Sequence, residues 1–300
     1  MCSQLKAADR TCPESSKSDP VPQNTLNDLT GKEWIKRTKS WFVCDSPRYH
    51  RNRETELHPA RFPEEMVAQF VTFFTKAGQW VFDPFCGSGA TLVACLEQNR
   101  RAVGLELASR YAEVTRQRLA EFEADGAAQV IHGNATQLVK PNLWKDCIAC
   151  ADGPLPQFDF IITSPPYWNM LRHSRGGVHS THKQRAKTGL DTRYSDSGQD
   201  LGNIEDYDEF IEAIGSVFDQ CQELLKPEKY MVVVAQNIRI PDGYVVPLAW
   251  DLARRISTSF SFQGERIWCQ DSKQLGIWGY PKVFVPNYHH HYCLIFRNDK

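Results

Sequence analysis

The sequence predicts an α/β protein built on one doubly wound, mostly parallel sheet of seven strands. Three observations lead to this fold class. Short apolar segments alternate with longer segments of helical periodicity along most of the 300 residues. A glycine-rich turn joins the first of these strands to a helix at residues 83–91. The length suits one α/β core with an appendage, because such domains often reach about 200–250 residues.

The elements follow in order along the chain. Residues 1–30 carry few large apolar groups and are predicted to form a disordered tail, which leaves residues 31–300 as a single folded domain. A helix is expected after Pro63, because proline suits a first helical turn and the next two glutamates suit a helix N-terminus. The predicted strands cover residues 80–82, 102–105, 129–131, 158–162, 230–235, 262–269 and 292–296. The predicted helices between them cover residues 90–97, 109–122, 204–225 and 248–256.

Composition narrows the class of protein. The 35 basic and 36 acidic side chains nearly cancel, so the overall charge neither favours nor excludes a polyanionic partner. Ten irregularly spaced cysteines without a secretion signal predict reduced thiols and a cytoplasmic protein. Cys147 and Cys150 have the spacing of half a zinc site but lack a second pair, so two loop thiols and no bound metal are expected. No apolar run approaches the ~20 residues that a membrane span needs.

The turn after the first strand has the features of a cofactor site. Gly87 and Gly89 allow the backbone to bend tightly and approach a ligand, and the following helix N-terminus favours a negative group. Asp83 would repel a pyrophosphate, whereas Glu106 at the end of the second strand suits the two hydroxyls of a ribose. This combination indicates a nucleoside that carries an amino acid, and S-adenosylmethionine is the candidate. The alternative is a structural turn with a surface glutamate.

The fourth predicted strand runs into Ser164, Pro165, Pro166 and Tyr167. Prolines stiffen the backbone and lack an N–H, so the Pro165 carbonyl and the Ser164 hydroxyl are free to accept both hydrogens of an exocyclic amine. Two acceptors on one NH₂ would aim its lone pair at a methyl donor, while Tyr167 offers a face for a base to stack on. The alternative for Pro-Pro-Tyr alone is an ordinary turn or an exposed ligand for a recognition module.

Together these motifs resemble the DNA amino-methyltransferases, which modify cytosine N4 or adenine N6 and are familiar from restriction-modification systems. "DPFCGSGAT" resembles their donor-binding motif, "TSPPY" their catalytic motif and "HPARFPEE" the segment over the methionine end of the cofactor. The resemblance covers about residues 32–297 and implies the Rossmann-like S-adenosylmethionine-dependent methyltransferase fold with an antiparallel last strand. It also implies direct methyl transfer to a flipped-out base. The implied cofactor contacts are His58, Pro59, Asp83, Phe85, Cys86, Gly87, Ser88, Gly89, Glu106 and Asn134.

The target base and the role of Asn134 each have two interpretations. Serine at position 164 favours cytosine N4 over adenine N6, since the adenine-modifying relatives usually carry Asp or Asn there. Asn134 follows the third strand and would accept a hydrogen bond from the adenine amino group of the cofactor. The alternative is that Asn134 is a loop residue without a role in cofactor binding.

DNA is the expected partner, and a basic loop insertion at about residues 169–203 is its expected contact. Its basic residues are Arg172, Arg175, Lys183, Arg185, Lys187 and Arg193. A second basic stretch, residues 32–61, is either a further DNA contact or a solvated face. A cognate restriction endonuclease or a second copy of the chain is a further expected partner. The alternative of another class is a non-catalytic nucleic-acid-binding subunit with the same fold.

Overall fold

The computed structural model describes residues 23–45, 63–122, 126–150, 153–168, 198–240, 243–273, 275–277 and 279–300. Within these ranges the chain forms ten strands. They are β1 (Trp41–Val43), β2 (Trp80–Asp83), β3 (Arg101–Glu106), β4 (Ala128–His132), β5 (Phe158–Thr163), β6 (Leu225–Ala235), β7 (Ile238–Arg239), β8 (Val245–Val246), β9 (Ser261–Cys269) and β10 (His290–Arg297). The six α-helices are α1 (Gly31–Arg37), α2 (Glu64–Phe74), α3 (Ala90–Glu97), α4 (Ser109–Ala120), α5 (Tyr207–Leu224) and α6 (Leu248–Ile256).

Eight strands form the main sheet in the order β1-β9-β10-β6-β5-β2-β3-β4, while β7 and β8 pair separately. Strand β10 runs antiparallel to both β6 and β9, and the other pairs in the sheet are parallel. The chain crosses from β2 outward through β3 and β4, and later returns to β5 on the other side of β2. This reversal makes the carboxyl ends of β2 and β5 the point where an open α/β sheet binds its ligands.

Both faces of the sheet are covered. In β6, Met231 and Val233 face a core shared with α5 and α6, whereas Val232 and Val234 face a second core shared with α2 and α3. A strand that is buried on both faces has apolar residues at consecutive positions. Residues 231–235 are accordingly all aliphatic or sulfur-containing. None of the described helices is both long enough and apolar enough to span a lipid bilayer.

The predicted α/β class, the mostly parallel sheet and the antiparallel last strand are confirmed. The predicted count of seven strands is wrong, because β1 adds an eighth at the edge beside β9. That strand has three residues, of which only Phe42 is buried, packing against Phe70 at 5.8 Å between ring centroids. So short a strand inside a basic stretch has no periodicity by which the sequence could reveal it.

The predicted domain starts at residue 31, but residues before it already contact the rest of the fold. Residues 1–22 lie outside the described residues, but the Asn24 side chain closes a turn by accepting from the amides of Leu26 and Asn27. The Asn27 side chain then donates to the Phe73 carbonyl at 2.5 Å and is 2% exposed. The polar residues of this segment therefore attach it to the end of α2.

Candidate active site

Asp83 ends β2 and joins three elements at the carboxyl edge of the sheet. Its carboxylate accepts hydrogen bonds from Thr91 Oγ1 at 2.5 Å, from Thr163 Oγ1 at 2.6 Å and from the Phe85 amide at 3.0 Å. Asp83 is 1% exposed, and burial raises its pKa to about 6, partly offset by these hydrogen bonds. The sequence pointed to Asp83 as a cofactor contact, whereas here its oxygens hold α3 and β5 in place.

Residues 86–89 form a tight turn between β2 and α3, and the end of β3 supports it. Gly87 and Gly89 have φ angles of 53° and 81°, in the left-handed region where a side chain is strained. The Gly87 amide donates to one carboxylate oxygen of Glu106 at 2.9 Å, and the Ala108 amide donates to the other at 2.8 Å. Burial raises the pKa of Glu106 to about 7 despite these two bonds. Glu106, which was predicted to bind the hydroxyls of a ribose, therefore also fixes the conformation of the glycine turn.

Close packing explains the second glycine of the turn. A Cβ at Gly89 would lie 2.6 Å from Thr115 Cγ2, and Thr115 also donates to the Gly87 carbonyl at 2.9 Å. The Ser88 carbonyl accepts from Arg118, whose other nitrogen pairs with Glu64 at 2.6 Å. The turn is thus held from α2 and α4 as well as from the sheet.

One buried polar atom of the turn has no partner among the described residues. Ser88 is 2% exposed, and its Oγ has no hydrogen-bond partner among the described residues. Buried hydroxyls are almost always paired in native proteins, so an unpaired one in a glycine turn indicates a missing partner. The first turn of α3 adds to this, since Gly89 at its N-cap provides no side-chain cap and leaves amides to bind a negative group.

The catalytic candidates follow β5 at the same edge. Ser164 Oγ lies 3.0 Å from the Tyr167 hydroxyl, and each of the two oxygens lies 3.2 Å from the Val234 carbonyl of β6. Thr163, which bonds Asp83 at the end of β2, immediately precedes Ser164. The two predicted motifs therefore follow neighbouring strand ends that are joined by one hydrogen bond.

Tyr167 differs from its predicted arrangement. It is 6% exposed, packs in the core shared with α5 and α6, and burial raises the pKa of its hydroxyl. It was expected to offer an open face to a base, and in this structure that face is covered. Its ring centroid lies 6.5 Å from that of His291, which stacks on Trp268 at 4.6 Å.

Asn134 caps a short 3₁₀ helix, Ala135–Gln137, after β4. Its side-chain oxygen accepts from the amide and the hydroxyl of Thr136, both at 2.9 Å. The oxygen predicted to accept from an adenine amino group is thus already in use. Its amide nitrogen lies 3.4 Å from Gln199.

Several predicted site residues lie outside the described residues. They are His58, Pro59, Arg172, Arg175, Lys183, Arg185, Lys187 and Arg193. Of the second basic stretch, the described part forms α1 and β1, where Arg37 bonds Thr72 and the Gln69 carbonyl of α2. Within the described ranges, no three His, Cys, Asp or Glu side chains form a group able to hold a metal ion.

Sequence reasoning missed the threonines that hold the site together, Thr91, Thr115 and Thr163. Each bonds a residue of the glycine turn or of its strand. Thr91 and Thr163 do lie inside or beside the quoted motifs, but a threonine there has no distinctive spacing. Thr115 lies in the middle of α4, where nothing in the sequence links it to the turn.

Known proteins resemble this chain in sequence. A family model described as DNA methylase matches residues 10–117 and 158–300. The orphan methyltransferase M.BamHII of Bacillus amyloliquefaciens is 35% identical over 65 residues, which are 22% of this chain and 24% of that protein. The type II methyltransferase M.Cfr9I of Citrobacter freundii is 40% identical over 62 residues, 21% of each chain. In these matches the chain spans about a quarter or less of the length of the curated relatives. The solved structure of TrmN from Thermus thermophilus aligns with a TM-score of 0.44 and 13% identity, covering 78% of this chain and 47% of that chain.

Proposed function

The chain belongs to the DNA methylase family, and we propose that it transfers a methyl group from S-adenosylmethionine to an exocyclic amine of a DNA base. The observation that carries the proposal is the 2.6 Å hydrogen bond from Thr163 to Asp83. Asp83 ends the strand that leads into the glycine turn, where a donor would bind, and Thr163 immediately precedes the Ser-Pro-Pro-Tyr peptide, where an acceptor would bind. Transfer of a methyl group needs the two sites to adjoin, because the attacking nitrogen must reach the methyl carbon directly.

The described residues fit S-adenosylmethionine. The unpaired Ser88 hydroxyl and the free amides at the start of α3 suit the carboxylate of its methionine part. Glu106 keeps unused lone pairs at the end of β3, where a ribose would lie. When bound, the cofactor would supply an electrophilic methyl group on a positively charged sulfur. Phe85, Cys86, Gly87 and Gly89 complete the proposed contacts.

Asp83 has a positioning role in this proposal. Its carboxylate holds the strand ends β2 and β5 at a fixed separation through Thr91 and Thr163. The distance between the donor turn and the acceptor peptide is thereby set before either ligand binds. Such preorganisation lowers the cost of bringing two reactants into line.

The acceptor base would bind at Ser164, Pro165, Pro166 and Tyr167. Ser164 Oγ and the Pro165 carbonyl each accept one hydrogen of the amine, which turns the nitrogen lone pair toward the donor. The Val234 carbonyl orients the Ser164 hydroxyl at 3.2 Å, so the oxygen lone pairs are directed away from β6. A base that stacks on Tyr167 requires its ring, now 6% exposed, to become accessible on binding.

We assign cytosine N4 as the target because of Ser164, with adenine N6 as the other outcome. One of the relatives is a type II methyltransferase. We propose that this chain acts in a restriction-modification system in the cytoplasm, with a cognate endonuclease or a second copy as partner. The duplex would lie across the carboxyl edge of the sheet. The predicted basic loop at residues 169–203 follows the Ser-Pro-Pro-Tyr peptide of this edge in the sequence.

A described segment of the same edge supports DNA binding there. Between β9 and β10, residues 275–277 and 279–284 carry exposed apolar side chains. These are Leu275, Ile277, Tyr280, Val283 and Phe284, between 57% and 88% exposed. The loop is closed by paired hydrogen bonds between Gly276 and Asn287. Apolar side chains held at the rim of a base-flipping site can fill the space that an extruded base leaves.

The proposal is tested by incubating the protein with DNA of mixed sequence and methyl-labelled S-adenosylmethionine, then digesting the DNA and weighing the nucleosides. Label in N4-methylcytosine is expected, and Ser164→Ala should remove it. Label found only in 6-methyladenine would refute the choice of cytosine while keeping the enzyme class. A wild-type protein that binds DNA but transfers no label would refute the enzyme and favour a non-catalytic subunit.

A further inference from the structure

Three consecutive histidines, His289, His290 and His291, lead into β10 at the carboxyl edge of the sheet. Their neighbours in the sheet place them beside the proposed acceptor site, because Tyr292 pairs with Ala235 and Cys293 with Val234. Val234 is the residue whose carbonyl holds Ser164 and Tyr167. Alternate strand residues share a face, so His289 and His291 point to one side and His290 to the other.

The two histidines that share a face have ring nitrogens without partners. Nδ1 of His291 and Nε2 of His289 are shielded from solvent and form no hydrogen bond with any described residue. Burial, with smaller effects of Lys273 and His290, lowers the pKa of His291 to about 3, so its ring is neutral at physiological pH. A neutral imidazole has one nitrogen that donates and one that accepts, and leaving either one buried and unpaired is unfavourable.

The ring of His291 is held in place. It stacks on Trp268 with centroids 4.6 Å apart and an interplanar angle of 24°. Trp268 is 2% exposed, and its indole nitrogen donates to the Cys44 carbonyl at 2.6 Å. The His291 ring also lies 6.5 Å from the ring of Tyr167. An immobilised polar ring with an unused nitrogen therefore adjoins the peptide that would receive the base.

We propose that His291 orients the acceptor base by hydrogen bonding to the ring nitrogen next to the reactive amine. This inference rests on the proposed function, and it names a residue outside the Ser-Pro-Pro-Tyr peptide as part of the acceptor site. Both cytosine and adenine carry an accepting ring nitrogen beside the exocyclic amine, which the neutral imidazole can bind as a donor. With Ser164 and Pro165 on the amine, a third contact fixes the rotation of the base in its own plane. Such a contact makes His291 a positioning residue.

The test compares normal duplexes with duplexes whose target base has a C–H in place of that ring nitrogen. Wild-type protein should lose about tenfold in kcat/KM on the altered base, the loss expected for one neutral hydrogen bond. His291→Phe, which keeps a ring on Trp268, should lose about tenfold on the normal base and lose nothing further on the altered one. His291→Gln, which retains a donor, should recover part of the activity, and the Kd for S-adenosylmethionine should stay unchanged in both variants.

His290→Phe is the matched control, because it changes the adjacent residue on the opposite face of the strand. It should keep both the activity and the discrimination between the two bases. Loss of discrimination in His290→Phe would show a general disturbance of β10 and would overturn the proposal. Wild-type protein that methylates both bases equally would overturn the role of His291 even where His291→Phe fails to fold, and would leave the proposed function intact. Wild-type protein that methylates no DNA would overturn both.

Discussion

Replacing Gly89 with alanine is expected to destabilise the protein by about 2–5 kcal/mol, for two separable reasons. The φ angle of Gly89 is 81°, and a Cβ in this left-handed region costs about 1–2 kcal/mol. The same Cβ would lie 2.6 Å from Thr115 Cγ2, and overpacking of this kind costs about 1–3 kcal/mol more. Because the turn is the proposed donor site, the affinity for S-adenosylmethionine should fall as well.

Gly78 provides a matched control for the backbone contribution. Its φ angle is 78°, close to that of Gly89, but a Cβ there would meet nothing within 4 Å. Gly78→Ala should therefore show the strain alone, at about 1–2 kcal/mol, and should leave cofactor binding unchanged. The difference between the two variants measures the collision with Thr115.

Urea unfolding gives the free energies, and calorimetric titration gives the Kd for S-adenosylmethionine. Adding Thr115→Ser to Gly89→Ala removes the colliding methyl group but keeps the hydroxyl that donates to the Gly87 carbonyl. The double variant should recover about 1–2 kcal/mol of the loss. If Gly89→Ala is no more destabilising than Gly78→Ala, the reasoning about close packing at this turn is wrong.

Three further outcomes are expected. Burial raises the pKa of Asp83 to about 6 and of Glu106 to about 7, above the values near 4 of the unfolded chain. The folded state therefore binds more protons between about pH 4 and 7, so these groups stabilise it fully at low pH and progressively less as the pH rises through 7. Between pH 5 and 8, the melting temperature should decline less in Asp83→Asn than in wild type. An equal decline would contradict the raised pKa of Asp83. Ser164→Ala should reduce kcat about a hundredfold in single-turnover assays while the melting temperature stays nearly constant, since only partly buried hydrogen bonds are lost. Phe284→Ser should leave stability unchanged, because the ring is 88% exposed, yet weaken DNA binding about tenfold in a gel-shift titration. Unchanged DNA affinity would exclude the loop 275–284 from the interface.

The fold could be predicted where a local pattern is strong. The helices at 90–97 and 248–256 match the structure at both ends, because glycine, proline and apolar periodicity mark their limits. The strand predicted at 230–235 begins at Leu225, which pairs with Phe158. Residues 226–229 are polar apart from Pro227, so no apolar pattern marked this early start. Strand β1 gave no signal, because its pairing with β9 joins residues more than 200 positions apart.

The candidate site was predicted in its location more fully than in its contacts. The glycine turn and the Ser-Pro-Pro-Tyr peptide lie at one edge, as strand ends in a parallel sheet must. The intramolecular contacts of Asp83, Glu106 and Asn134 were not predicted, because each of these side-chain oxygens bonds a backbone amide or a hydroxyl that lies elsewhere in the chain or two residues away. A sequence gives the chemical type of a side chain but not which of its neighbours is nearest.

The amino-acid sequence by itself determined the α/β class, the order of the elements and the two motifs that follow β2 and β5. These properties depend on local periodicity and on glycine and proline geometry, which act within a few residues. Only the tertiary structure decided that Thr163 of β5 bonds Asp83 of β2, that Tyr167 is buried, and that the ring of His291, which has an unpaired nitrogen, lies 6.5 Å from the ring of Tyr167. Those features depend on distances between residues far apart in the chain, which are set by the packing of strands and helices.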